Sequence, residues 1–71
     1  MRMNVKVRFD VAEHKFERVM GDNYLIYVHF SQSADADKRL VEIISKKMGV
    51  VSKNISFLGR GKNGEWIFEV A

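Results

Sequence analysis

Ala34-Asp35-Ala36-Asp37-Lys38-Arg39-Leu40-Val41-Glu42-Ile43-Ile44-Ser45-Lys46-Lys47-Met48 carries the one long regular spacing in the chain. Ala36, Leu40, Ile43, Ile44 and Met48 recur at three- and four-residue intervals, which on a helix makes a single apolar stripe. Asp35 and Asp37 sit near the expected start and Lys46 and Lys47 near the expected end, complementing the helix dipole. Asp35 with Arg39 and Glu42 with Lys46 are i,i+4 pairs in the favourable order. Ser31-Gln32-Ser33 offers hydroxyls suited to capping, and Gly49 is placed to close the helix in the left-handed conformation. An amphipathic helix with one apolar stripe needs a surface to lie on, so the flanking segments decide the architecture.

Working outward, both flanks read as β-structure. Tyr24 to Phe30 is rich in aromatic and β-branched residues, with Tyr24, Ile26, Val28 and Phe30 on one face and Leu25 and Tyr27 on the other. Apolar residues on both faces predict an interior strand, or a second face covered by residues 11–20 or by a partner. Gly21-Asp22-Asn23 marks a turn before it. Met3 to Phe9 alternates, with Val5, Val7 and Phe9 facing one way and Lys6 and Arg8 the other, as a half-buried strand does. Between them, Asp10 to Met20 fits either a short helix lined by Phe16, Val19 and Met20 or an irregular covering loop. After the helix, Ile55 to Leu58 and Glu65 to Val70 read as two strands joined through Gly59-Arg60-Gly61-Lys62-Asn63-Gly64. Trp66, Phe68 and Val70 share a face, which assigns Trp66 to the core.

The expected fold is therefore α+β: one domain over residues 1–71, in two layers, with a four-stranded sheet in the order β-β-α-β-β and one main helix on one face. If the helix returns the chain to the sheet in parallel, that crossover is expected to be right-handed.

The chain has 71 residues and no cysteine, so disulfides and thiolate metal sites are excluded and side-chain packing, or self-association, must hold a thin core. A composition of 46% hydrophobic and 30% charged residues is that of a globular domain. The N-terminal stretch alternates in polarity and contains no apolar run of signal-sequence type, and the run Tyr24–Phe30 is too short to span a bilayer; a cytoplasmic location without membrane attachment is the expectation. The net charge of +3 mildly favours an anionic partner.

Three groupings could carry chemistry. The Gly-rich segment 59–64, with Arg60 and Lys62, presents backbone N–H groups of the kind that hold anions, but it leads into a strand and lacks the Lys-Ser/Thr and helix of a nucleotide loop. The face opposite the helix should gather Lys6, Arg8, Leu25, Tyr27 and His29, and cations interleaved with an aromatic ring are what single-stranded RNA sites use. Asp10, Glu13, His14 and Glu17 would share a face only if their segment were helical, and no second cluster completes a metal site there; His29 lies on another element. Ser31, Ser33, Ser45, Ser52 and Ser56 lack a nucleophile-elbow setting, and Asp35 and Asp37 point to different sides of a helix. A non-enzymatic domain with no cofactor and no metal is expected.

Tyr24-Leu25-Ile26-Tyr27-Val28, Ala36-Asp37-Lys38-Arg39-Leu40-Val41, Ser45-Lys46-Lys47-Met48-Gly49-Val50, Ser52-Lys53-Asn54-Ile55 and Val19-Met20-Gly21 together resemble the pattern of the YggU-like family, small proteins of unknown function. The resemblance implies two strands, a loop, a helix and two more strands, often with a further terminal helix. It brings no site residues with it. The functional expectation comes from the residues alone: binding of RNA or another anionic partner through Lys6, Arg8, Tyr27, Arg60 and Lys62, with a protein-interaction or self-associating module, such as a homodimer, as the alternative.

Overall fold

The computed structural model describes all 71 residues. Its order is β1 (Arg2–Arg8), β2 (Lys15–Met20), β3 (Asn23–Tyr27), α1 (Ala36–Met48), a 3-10 turn (Ser52–Asn54), β4 (Ile55–Arg60) and β5 (Trp66–Val70). The α+β, two-layer expectation holds, with one correction: the sheet has five strands, ordered β2-β3-β1-β5-β4. The added strand is β2, drawn from the segment for which a helix or a loop was expected. β2 is an edge strand, so most of its side chains meet solvent and it lacks the in-out alternation that marks a strand in sequence. Only Phe16 turns inward, packing 5.8 Å from the Tyr24 ring; Val19 and Met20, which the helical alternative would set on one side with it, are exposed.

β1 lies in the middle of the sheet. It runs parallel to β3, with Val5 beside Tyr24 and Val7 beside Ile26, and antiparallel to β5, with Met3 beside Phe68 and Val5 beside Trp66. β2 and β4 pair antiparallel with β3 and β5, each through a register shift, at Arg18/Met20 and at Phe57/Gly59. β3 and β4 therefore run the same way on opposite flanks, and α1 connects them in parallel past the two strands between. A helix-length crossover is what parallel strands require.

The stripe read from sequence is the packed face of α1: Ala36, Leu40 and Ile44 are buried and Ile43 and Met48 lie against the core. Opposite them stand Met3, Val5, Tyr24, Ile26, Val28, Ile55, Trp66, Phe68 and Val70. No polar or charged residue is buried, so no ion pair lies inside the core and its side chains are held by apolar packing. Gly49 ends the helix at φ 68°, its N–H donating to the Ser45 carbonyl at 2.9 Å. The start differs from expectation. Asp35 occupies the cap position without a side-chain cap bond, and the Ser33 hydroxyl donates instead to the Asp35 carboxylate at 2.7 Å. That bond holds the Asp35 carboxyl below the ordinary aspartate range. Neither Asp35 with Arg39 nor Glu42 with Lys46 closes to ion-pair distance; the three ion pairs present join the N-terminus and Arg2 to Glu69 and Lys15 to Glu17.

Candidate functional site

Because α1 covers one face of the sheet, the alternating residues of β1 on the other face, Arg2, Asn4, Lys6 and Arg8, meet solvent along the central strand. At about 3.3 Å per residue this column is about 20 Å long. Leu25 and Tyr27 of β3 stand beside Lys6 and Arg8 in the parallel register. The Tyr27 ring lies between two cations, with the Arg8 guanidinium 6.0 Å and the Lys15 ammonium 5.6 Å from its centroid, both within range of the ring's quadrupole.

Charge is unevenly committed on this face. Arg2 reaches Glu69 at 4.0 Å and Lys15 reaches Glu17 at 3.2 Å. The hydrogen bond and then the charge of Glu17 raise the Lys15 pKa above the ordinary lysine value. Lys6 and Arg8 have no carboxylate at ion-pair distance. A shallow depression of about 460 Å³ adjoins Lys6, walled by Asn4, Leu25 and Val19 on the sheet and by Asn63 and Glu65 of the β4–β5 turn. The turn that carries Lys62 thus borders the same face as Lys6.

The Gly-rich turn is closed on itself. The Gly61 N–H donates to the Glu65 carbonyl at 2.8 Å, and the Asn63 N–H donates to the Glu65 carboxylate at 2.9 Å. The anion seated in this loop is its own glutamate. A Cβ at Gly61 would overlap that carboxylate and oblige the Glu65 side chain to move aside. Arg60 is not on the bare face either. Its guanidinium lies 4.4 Å from the Trp66 ring centroid and donates twice to the Gly64 carbonyl, at 3.0 and 2.6 Å. Trp66 belongs to the helix-covered side, so Arg60 is turned away from Lys6, Arg8 and Tyr27. Of the five residues expected to act together, Lys6, Arg8 and Tyr27 share one surface, Lys62 stands on the turn at its border, and Arg60 serves the turn and the tryptophan.

His29 departs from the sheet face as well. β3 ends at Tyr27, and the His29 ring lies 3.8 Å, centroid to centroid, from His14 in the β1–β2 loop. The helical face imagined for Asp10, Glu13, His14 and Glu17 does not form, and no three His, Cys, Asp or Glu side chains cluster as metal ligands. The meeting of the two histidines was not anticipated. Both stand in loops, His14 just before β2 and His29 just after β3, and the antiparallel pairing of Lys15 with Tyr27 brings them to one end of the sheet.

These features define a class of protein by architecture: a two-layer α+β domain with a mixed sheet, one face closed by a helix and the other open. No family model, curated protein or solved structure matches the chain. No helix is long and apolar enough to cross a membrane.

Proposed function

We propose that this protein is a cytoplasmic, non-enzymatic binding domain that holds single-stranded nucleic acid, RNA above all, across the uncovered sheet face. The observation that carries the reading is the pair of uncommitted cations Lys6 and Arg8 on the central strand beside Tyr27. Phosphates supply affinity through such cations, while a ring on an open face offers a stacking platform worth about 1–3 kcal/mol per base. Lys62 extends the positive border from the turn. With about three phosphates neutralised by Lys6, Arg8 and Lys62, the slope of log K against log salt for single strands should be about −2.

The test is a titration of fluorescently labelled single-stranded RNA at two salt concentrations, for the wild type, Lys6→Ala/Arg8→Ala and Tyr27→Ala. Weaker binding by both variants supports the reading; affinity equal to wild type in both overturns it. A second reading is favoured by the apolar residues near this face and its edges: Val19, Met20 and Leu58 are 60%, 74% and 50% exposed. Such residues suit a protein partner or a second copy, and that association would persist at high salt, where nucleic-acid binding is lost.

A further inference from the structure

A second concave surface lies away from the bare sheet face, between the β1–β2 loop, the β3–α1 loop and the first two turns of α1. Its volume is about 630 Å³, and His14, His29, Lys38, Arg39 and Glu42 supply its charged and titratable groups. The two loops are tied together. The Asp10 N–H donates to the Phe30 carbonyl at 3.0 Å and the Val11 N–H to the Val28 carbonyl at 3.1 Å, while the Ser31 hydroxyl bonds the Asp10 carboxylate. Asp10 adopts φ 59°, a left-handed conformation that aspartate tolerates better than most residues. The walls bearing His14 and His29 are thus held by local bonds.

The fixed cations of this cleft close no ion pair, although Asp35 acts on both through its charge. Neither Lys38 nor Arg39 has a carboxylate at ion-pair distance, and the Arg39 guanidinium is laid against the Phe30 ring at 3.7 Å, which orients it without neutralising it. His29 Nδ1 lies 3.0 Å from the Val11 carbonyl, an acceptor only, so the proton of the neutral ring sits on Nδ1 and Nε2 is left to accept. Protonation makes Nε2 a donor. With ring centroids 3.8 Å apart, charging both imidazoles sets two like charges side by side, a cost that a bound anion removes. The charges around the pair come from every neighbouring element: Lys38, Arg39 and Glu42 from α1 with Asp35 at its cap, Lys15 of β2, which is paired with Glu17, and Lys47 of α1 on the other side of His14, and Asp10 and Glu13 from the loop itself, Asp10 being bonded to Ser31. Among the groups that line the cleft itself, the cations Lys38 and Arg39 outnumber the single carboxylate, Glu42.

We propose that this cleft binds a small tetrahedral oxyanion, a phosphate group either free or as a monoester on a small molecule, and that binding is coupled to proton uptake by the His14–His29 pair. Arg39 and Lys38 supply fixed charge; the imidazoles supply charge and donors as pH falls.

Inorganic sulfate is the decisive probe, because its charge does not change between pH 6 and 8 and any pH dependence belongs to the protein. Amide and imidazole NMR shifts are followed through sulfate titrations at both pH values. The expected result is shifts centred on His14, His29 and Arg39, with affinity about tenfold higher at pH 6, the factor that one charge-assisted hydrogen bond supplies. Arg39→Ala weakens binding at both pH values, His29→Ala abolishes the pH difference, Glu42→Gln strengthens binding, and Lys6→Ala/Arg8→Ala leaves it unchanged. Saturating sulfate also moves the imidazole titration midpoints upward, as linkage demands. Inorganic phosphate and glycerol phosphate, titrated at pH 6, should both compete for the same shifts. Equal sulfate affinity at the two pH values, an undiminished pH difference in His29→Ala, or shifts centred elsewhere overturns the proposal. Because the Lys6/Arg8 variant is predicted to be silent here, this outcome is independent of RNA binding on the sheet.

Discussion

The two faces of the sheet are built from the same strands and behave as different materials. On the helix side, Met3, Val5, Ile26 and Phe68 have no exposed surface and no buried polar group interrupts them. On the other side the intervening residues of the same strands, Lys6, Arg8, Leu25, Tyr27 and Ile67, stand half-buried or exposed. A strand alternates its side chains between faces, so each strand writes a core and a surface at once. The covered face holds the fold together, and the uncovered face is free to vary its chemistry. A domain of 71 residues has little core to spare, so the division should be sharp and measurable.

The largest effect should come from adjacent residues of β5. Phe68→Ala empties a fully buried ring site and is expected to cost about 3–5 kcal/mol, enough to unfold much of a marginal domain. Ile67→Ala, one position along but on the bare face, should cost under about half as much. Urea unfolding of the two variants checks this, and similar losses would mean that something covers the bare face in solution.

Next, Lys6→Ala/Arg8→Ala should leave the unfolding midpoint nearly unchanged, within about 0.5 kcal/mol, while flattening the salt dependence of RNA binding by about 1.4 in slope. A loss of stability with binding retained would reverse the roles assigned to the two faces.

Arg60 sharpens the contrast, because its charge would place it with the binding residues and its position does not. Arg60→Ala removes the contact with Trp66 and both bonds to Gly64, so a loss of about 1 kcal/mol in stability is expected with RNA affinity unchanged. An affinity loss comparable to that of the Lys6/Arg8 variant would return Arg60 to the site.

The smallest effect concerns the helix start and acts on neither face. Asp35 has a depressed carboxyl in the folded state because the Ser33 hydroxyl donates to it, with smaller contributions from the backbone and from Arg39 and Lys38. A depressed folded pKa stabilises at pH above the unfolded value, about 3.9, and the contribution fades as pH falls through the folded value. The melting-temperature difference between wild type and Ser33→Ala should be present at neutral pH and shrink in acid, as pH falls below the ordinary aspartate value and through the depressed folded one. A difference that persists in acid would assign the effect of Ser33 to something other than this carboxylate.

Local periodicity settled a good part of the molecule. Helical spacing from Ala36 to Met48, with Gly49 after it, needs only short-range geometry, and the same holds for the alternation of Val5 and Val7 against Lys6 and Arg8. The core assignments of Trp66 and Phe68 follow from the same pattern. These features depend on residues a few positions apart, where backbone geometry fixes which side chains share a face.

Tertiary structure alone decided the rest. β2 is a strand because β3 offers it an edge, not because Lys15–Met20 carries a pattern of its own. Arg60 found Trp66 through the bulged pairing of β4 with β5, and His14 met His29 because β2 pairs antiparallel with β3 and sets Lys15 beside Tyr27. Pairings between distant segments are chosen by the packing of the whole sheet, and a one-residue shift in register would send each of these side chains to the opposite face.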